Sequence, residues 1–403
     1  MAITHSALNR VTFFDLDRRQ LVGALPAQKL PHDMLLSADQ RTLYVVNSGS
    51  QCMTMYHLDE PELWRYAAAF MQKDSANLFT ARRPTGNSMF GSADGPKPDT
   101  VRSDVPAHAQ SAEPVILNRD PVQSLPVSVA SFYLTEPEFP DIARKKHEAV
   151  GATSHSACFD CHDRSLGGKP FGPSFSKDGS QIFLVHLGSR NIAVLDTRTL
   201  VLRRKIPLAV PSQYSPVEVW VGPDERFAFV TCRNEIGMSK PGLILVVDLN
   251  TGAILKSITA GIYPWHLLAD PEGRTLYVNN FQSSRISIVD VARQEIIDSI
   301  VVQNGPSMMK LLPESKVLIV SCFYTDRVLF VDLESRQVKN EVAVDANPTS
   351  LELSPNGDIL YVLCGGGGKL DMIDMGTRKV VDRQTMLFGA YAFHIVDMSL
   401  ARN

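Results

Sequence analysis

The clearest chemical signal in this 403-residue sequence is a CxxCH motif formed by Cys158, Cys161 and His162. Two thiols at this spacing can bond to the two vinyl groups of one haem, and the adjacent histidine can bind the iron as proximal ligand. The motif therefore predicts one covalently attached haem c. Two other interpretations stay open: a zinc site that adds His155 to these residues, and a reversible disulfide between the two cysteines.

A sixth iron ligand would have to come from the preceding part of the chain or from the repeats, because the repeats resume soon after the motif, at Phe171. The candidates are Met71, Met89, His108, His147 and His155. A site without a sixth ligand would favour small-molecule chemistry over simple electron transfer.

The rest of the sequence is dominated by a repeat of about 42 residues, and each unit resembles RTLYVNNFQSSRISIVDVARQEIIDSI in its alternation of short apolar strands and turns. Two residue types recur at this interval: Asp248, Asp290, Asp332 and Asp374, and Pro264, Pro306 and Pro348. A period near 40–50 residues with about four strands per unit predicts an all-β fold, a β-propeller. A parallel β-helix would need a much shorter period, and helical repeats would need a 3.6-residue periodicity.

Alignment of the strand ends predicts seven blades. One strand of each unit ends at one of these positions: His5, Asn47, His186, Cys232, Asn280, Cys322 and Cys364. The N-terminal strands and a segment at 389–394, which repeats 261–266, are predicted to close the last blade together, which removes an exposed sheet edge. The sequence therefore predicts propeller at 1–59 and 171–403. Between them lies an inserted haem-binding segment at 60–170 that begins with a helix.

Histidines concentrate where propeller geometry brings strand ends and the starts of innermost strands to one mouth of the central channel. Five of the ten histidines are expected there: His5, His32, His186, His266 and His394. Neutral imidazole is the commonest metal ligand, so this ring predicts a substrate site or a second metal ion, copper or iron, at the mouth. The alternative is structural, with His5 and His186 replacing asparagine in a hydrogen-bonded ring.

The strand ends Tyr44-Val45-Val46-Asn47 and Tyr277-Val278-Asn279-Asn280 resemble the YVTN repeat family of bacterial seven-bladed propellers. The resemblance covers everything except about residues 60–170, and it implies a fold rather than a function, since propellers host many unrelated activities. In architecture only, the chain also resembles bacterial propeller oxidoreductases such as cytochrome cd-type nitrite reductase and nitrous oxide reductase. That likeness implies a haem- or metal-dependent oxidoreductase as the candidate enzyme class.

Charge and hydropathy give no support for two classes of partner, nucleic acid and a membrane. A net charge of −3 gives no case for nucleic acid, and no apolar run is long enough for a membrane span. No signal peptide is visible, and the chain begins inside a strand. Haem c attachment would nevertheless require a periplasmic or extracellular location. The function expected is redox chemistry or electron transfer with a partner protein or a small-molecule substrate. The alternative is a non-enzymatic scaffold, binding or maturation protein whose CxxCH binds zinc or is vestigial.

Overall fold

The protein, in a computed structural model, is a seven-bladed β-propeller. The structure describes residues 1–80, 129–133, 169–236, 239–312, 314, 316–387 and 389–396. These residues form seven four-stranded antiparallel sheets, each of which is one blade. Neighbouring sheets pack face to face, so that the second and third strands of each blade are buried on both sides and read as apolar runs.

The strands follow the chain in blade order. The N-terminal three are β1 (Ala2–His5), β2 (Arg10–Asp15) and β3 (Gln20–Pro26). The first complete blade comprises β4 (Pro31–Leu36), β5 (Thr42–Asn47), β6 (Cys52–His57) and β7 (Val129–Tyr133), and the second β8 (Pro170–Phe175), β9 (Gln181–His186), β10 (Asn191–Asp196) and β11 (Leu202–Pro207). The third has β12 (Tyr214–Val221), β13 (Phe227–Asn234), β14 (Pro241–Asp248) and β15 (Ile254–Ile262), and the fourth β16 (Pro264–Ala269), β17 (Thr275–Asn280), β18 (Arg285–Asp290) and β19 (Glu295–Val301). The fifth has β20 (Pro306–Leu312), β21 (Val317–Cys322), β22 (Arg327–Asp332) and β23 (Gln337–Ala343), and the sixth β24 (Pro348–Leu353), β25 (Ile359–Cys364), β26 (Lys369–Asp374) and β27 (Lys379–Thr385).

The aspartates that recur every 42 residues cap a turn. Each ends the third strand of its blade, and its carboxylate accepts hydrogen bonds from backbone N–H groups two or three residues ahead, as Asp248 does from Asn250 and Thr251 at 2.9 and 2.8 Å. Asp332 and Asp374 accept in the same way from Ser335 and Thr377. The repeated residue therefore fixes the hairpin that leads to the outermost strand.

The last blade is closed by both ends of the chain, as the repeat predicts. β28 (Ala390–His394) is its innermost strand and pairs antiparallel with β1, followed by β2 and β3. Phe393 lies opposite Ile3, and both side chains are buried in one apolar cluster.

The predicted insertion begins with the expected helix, α1 (Pro61–Thr80), which packs on β3. The Trp64 ring lies 4.7 Å from that of Phe13, and a Cβ on Gly23 would come within 3.1 Å of Ala67, so the glycine permits close helix–strand contact. The stretch 60–170 also supplies β7, the outermost strand of the first complete blade, which pairs with β6. In the part of the chain that the structure describes, no helix has the length and apolar character needed to cross a membrane.

Candidate functional site

The innermost strands all begin on one face of the propeller, which we call the mouth face. There the first residue of the innermost strand pairs with the strand-end residue of the same blade, as Pro31 does with Asn47 and Pro264 with Asn280; in the third blade Pro216, the third residue of β12, takes this place opposite Cys232. Directly after this pair the register shifts in all seven blades. Such β-bulges redirect side chains, and here they set the residues of the channel mouth.

The strand-end histidines lie inside the blades. His5 shares a hydrogen bond with Thr12 at 2.7 Å, and the same seven-residue spacing joins Asn47 to Thr54 at 2.9 Å. His186 shares a hydrogen bond with Asn191 at 2.8 Å through Nδ1. These contacts are the ones expected if histidine replaces asparagine in a hydrogen-bonded ring.

The strand-end cysteines are core residues. Cys232, Cys322 and Cys364 are fully buried and free, and burial raises the pKa of each thiol. They behave as small apolar side chains.

His32 and Asp33 form a pair at the start of β4. His32 Nδ1 donates to Asp33 at 2.9 Å, and the amide of Gly172 on the next blade donates to the other carboxylate oxygen at 3.0 Å. Burial opposes the charged form of Asp33, but His32, the Gly172 amide and the more distant His266 hold the pKa of the carboxyl below its ordinary value. Gly172 has φ +51°, and a Cβ there would lie 2.5 Å from the Glu218 Cα. Only glycine therefore fits at this close approach of β8 to β12.

His266 and Glu218 form a second pair, which joins the third and fourth blades. His266 Nδ1 donates to both carboxylate oxygens of Glu218 at 3.0 and 3.1 Å. The backbone amide of Leu267 also donates to this carboxylate, at 2.8 Å. Burial alone would lower the pKa of His266, but the charge and hydrogen bond of Glu218, with Asp33 adding to them, raise it. Glu218 therefore stabilises the protonated imidazole relative to the neutral one.

His394 lies deeper than the sequence alignment predicts. It pairs with Ala2 rather than with the strand-end residue His5, which puts it at the far end of β28 instead of beside its start. The alignment of 389–394 with 261–266 was wrong by two residues. Ala390, and not Ala392, starts its strand opposite the strand-end residue, as Pro264 does in the fourth blade. His394 Nε2 donates to the Met34 carbonyl at 3.1 Å, and Nδ1 lies 3.4 Å from Glu352.

Aromatic side chains follow the mouth from blade to blade, and we call them the aromatic arc: Tyr391, His32, Phe171, Trp265 and Tyr263. Successive ring centroids are 3.8, 4.2, 5.9 and 5.8 Å apart. At one end Arg233 donates to the Tyr263 hydroxyl at 2.6 Å and to Glu235 at 2.8 Å. At the other end burial raises the pKa of Tyr391 well above its ordinary value, so its hydroxyl stays a donor.

The mouth thus combines two histidine–carboxylate pairs with aromatic ring surface. Within the described ranges, no group of three or more His, Cys, Asp or Glu side chains is arranged to hold a metal ion. Sequence reasoning missed the hydrogen bonds that join His32 to Asp33 and His266 to Glu218, and it missed most of the arc. The arc could have been found from the position of its residues in the repeat, because Phe171 and Trp265 each follow the first proline of an innermost strand.

Several predicted site residues lie outside the described residues: Met89, His108, His147, His155, Cys158, Cys161 and His162. Met71 lies on α1, which packs on the outermost strand of the closing blade rather than at the mouth. The prediction of a haem site and of its sixth ligand therefore stays a prediction.

Comparisons with known proteins support the fold. No protein-family model and no curated protein matches the chain. A solved structure of a functionally unknown protein from Desulfotomaculum acetoxidans is similar with a TM-score of 0.59 and 11% identity over 98% of both chains. Dihydro-haem d1 dehydrogenase NirN in complex with DHE is similar with a TM-score of 0.52 and 13% identity, over 99% of this chain and 75% of the other. At such identities the likeness shows the propeller fold alone.

Proposed function

We propose that this chain is an extracytoplasmic c-type haem propeller protein that performs redox chemistry or electron transfer, with the channel mouth as its substrate side. Cys158 and Cys161 would hold the haem through thioether bonds, and His162 would bind its iron. The group would supply one-electron redox chemistry, and the second participant would be a partner protein or a small molecule. A second metal ion, copper or iron, at the mouth is a further part of the proposal that the described side chains do not favour.

The observation that carries the proposal is where the flanking strands end. β7 ends at Tyr133, opposite Cys52, and β8 starts at Pro170, opposite His186, so both ends of the stretch 134–169 lie on the mouth face. His162 precedes Pro170 by eight residues, which span at most about 26–29 Å when extended. This tether supports a haem near the mouth, on the side of the first two complete blades.

The mouth offers what such a site needs from the protein. The His266–Glu218 pair holds a proton next to the channel, and the aromatic arc adds apolar surface that excludes water. Phe171, a member of the arc, follows Pro170 directly, so the haem-bearing stretch returns to the fold at the arc itself.

Intact mass tests the haem directly. Protein from a host that matures c-type cytochromes should carry one added haem, and Cys158→Ala with Cys161→Ala should carry none. Cys52→Ala, which removes a buried thiol of β6, is the matched control and should keep the haem. An unmodified wild-type mass with stoichiometric zinc would contradict the proposal.

A second candidate is a non-enzymatic binding, scaffold or maturation protein. The hydrogen bonds that engage His5 and His186 inside their blades favour it, because they turn two of the five expected channel ligands into structural residues. A wild-type protein that carries haem but shows no reversible oxidation and reduction would favour this second candidate.

A further inference from the structure

Charge is distributed unevenly between the two faces of the propeller. On the mouth face, the described connections and the two strand residues on either side of each carry nine basic side chains: Arg10, Lys29, Lys169, Arg190, Arg233, Lys240, Arg285, Arg327 and Lys369. The same positions carry three acidic side chains: Glu235, Asp326 and Asp345. Two further carboxylates, Asp33 and Glu218, lie deeper in the mouth and face histidines. The rim of the mouth face therefore has an excess of positive charge, although the whole chain has a net charge of −3.

The three acidic side chains of this rim already have partners. Glu235 pairs with the arginine two positions before it at 2.8 Å, and Asp345 lies 3.5 Å from Arg383. Asp326 accepts a hydrogen bond from the backbone amide of Asn347 at 2.8 Å. These carboxylates therefore do not neutralise the other basic side chains of the rim.

Five of the nine basic side chains make no ion pair with any residue that the structure describes: Lys169, Arg190, Lys240, Arg285 and Lys369. Three of the five are oriented by uncharged groups. Arg190 donates to two backbone carbonyls at the entry to β12, at 2.6 and 2.9 Å. Arg285 donates to the Ser299 hydroxyl at 3.1 Å, and Lys369 donates to the Thr385 hydroxyl at 2.8 Å. Such partners fix the side chains but leave their positive charges uncompensated.

The opposite face has the reverse balance. Its connections include the aspartates that end the third strands, and acidic residues outnumber basic ones among the described residues there. Basic side chains on that face are commonly ion-paired, as Arg293 is with Asp290 and Arg274 with Glu272. The asymmetry between the faces would orient the propeller toward a negatively charged partner, with the mouth face in front.

Exposed apolar side chains accompany the basic residues of the rim. Leu30, Ile236 and Val301 are 41%, 70% and 61% exposed, and all three lie on the mouth face. Protein interfaces combine such apolar contacts with arginine and a polar rim. Nucleic acids favour basic residues gathered in one patch or stripe, and anionic membranes favour a compact polybasic cluster. The basic residues here are spread around the whole ring, so the mouth face fits a broad protein surface better.

We propose that the mouth face is a docking surface for a partner protein with an acidic surface. Its carboxylates would meet the unpaired basic side chains of the rim, and its apolar groups would meet Leu30, Ile236 and Val301. The inference names the class of partner for the proposed electron transfer and rests on that proposal for its role. The contact itself uses only residues of the propeller and does not require haem.

A fluorescein-labelled poly-L-glutamate peptide is the probe, and it stands in for an acidic protein surface. Fluorescence anisotropy follows its titration with the full chain that carries Cys158→Ala and Cys161→Ala, so that haem absorption is absent. Failure of haem attachment in the intact-mass test and failure of peptide binding are therefore separate results. We expect binding at low ionic strength that weakens as salt is added, because the Debye length falls to about 10 Å at 0.1 M salt.

Two triple variants of this chain test whether the mouth face is the binding surface. The mouth variant carries Lys169→Glu, Lys240→Glu and Lys369→Glu. The matched control carries Lys177→Glu, Arg198→Glu and Lys379→Glu on the opposite face, with the same change in net charge. The mouth variant should bind the peptide about 10-fold or more weakly, and the control should lose less than about 3-fold. Circular dichroism checks that both variants are folded.

Cross-linking locates the contact independently of any variant. A carbodiimide joins a carboxylate directly to a lysine amine, and mass spectrometry then identifies the modified lysines. We expect the peptide on Lys169, Lys240 or Lys369 rather than on Lys177 or Lys379.

Four results would overturn the inference. The first is no peptide binding at low ionic strength, and the second is equal weakening by the two triple variants. The third is tighter binding of a single-stranded oligonucleotide or of phosphatidylserine vesicles than of the peptide, which would assign the face to a nucleic acid or a membrane. The fourth is salt-sensitive self-association that the mouth variant abolishes in light scattering, which would assign the face to the acidic side of a second copy.

Discussion

Closure of the ring by β28 can be tested by replacing Phe393 with alanine. The side chain is 3% exposed, pairs across the strand with Ile3 and packs in one cluster with Phe14 and Leu363. Truncation of a buried phenylalanine costs about 3–5 kcal/mol of unfolding free energy, because apolar contact is lost and a cavity remains. Urea unfolding followed by circular dichroism measures this loss.

A double-mutant cycle makes the test specific to closure. Ile3→Val alone should cost about 0.5–1.5 kcal/mol, and its coupling with Phe393→Ala should be about 0.5–3 kcal/mol, because the two side chains touch across the junction of the chain ends. Phe393→Ala with Ile244→Val, a buried residue of the third blade, should be additive within about 0.5 kcal/mol. Val381→Ala, 58% exposed on β27, is the surface control and should change stability by less than about 0.5 kcal/mol.

Closure by β28 is refuted if Phe393→Ala behaves like the surface control, or if the coupling of Phe393 to Ile3 is no larger than its coupling to Ile244. Either result would mean that the C-terminal strand does not seal the first one in solution.

Three further predictions concern the mouth and the turns. Gly172→Ala should destabilise the fold more than Gly357→Ala in urea unfolding, because both have positive φ but only the first would also press a Cβ against Glu218. The raised pKa of His266 adds stability that is fully present below its unfolded value near 6.5 and is lost as pH rises through the folded pKa; Glu218→Gln should remove that loss in a pH series of unfolding midpoints. Hydrogen bonds from Thr377 lower the pKa of Asp374, so its stabilising effect is present above the ordinary value of 3.8 and lost as pH falls through the folded pKa; Asp374→Asn should flatten acid unfolding in that range.

The fold was predictable because its determinants are local and repeat. Asp290 and Pro306 recur at a fixed interval, since each blade needs the same capped hairpin and the same start of its innermost strand. The same logic identified β1 as part of the last blade. β7 was not predictable, because it lies within 60–170, outside the recognisable repeat, and 71 residues of chain separate His57 from Val129.

The candidate site was predictable only in part. The concentration of histidines near the mouth was visible in the sequence, but their roles depend on neighbours from other blades. Glu218 reaches His266 across 48 positions, and Met34 meets His394 across 360. An alignment of repeat sequences also does not reveal a β-bulge. The bulges decide which residues of β16 and β28 occupy equivalent positions.

The distance from the haem iron to each face of the propeller tests the central proposal most directly. Asn304 and Glu314 are exposed, and they flank β20 on the mouth face and on the opposite face, about 23 Å of strand apart. Spin labels at Asn304→Cys or Glu314→Cys would react selectively, because the cysteines that the structure describes are buried. Pulsed electron resonance should give a shorter distance to the iron from the label at position 304 than from the label at position 314. The reverse order would contradict a haem held at the channel mouth.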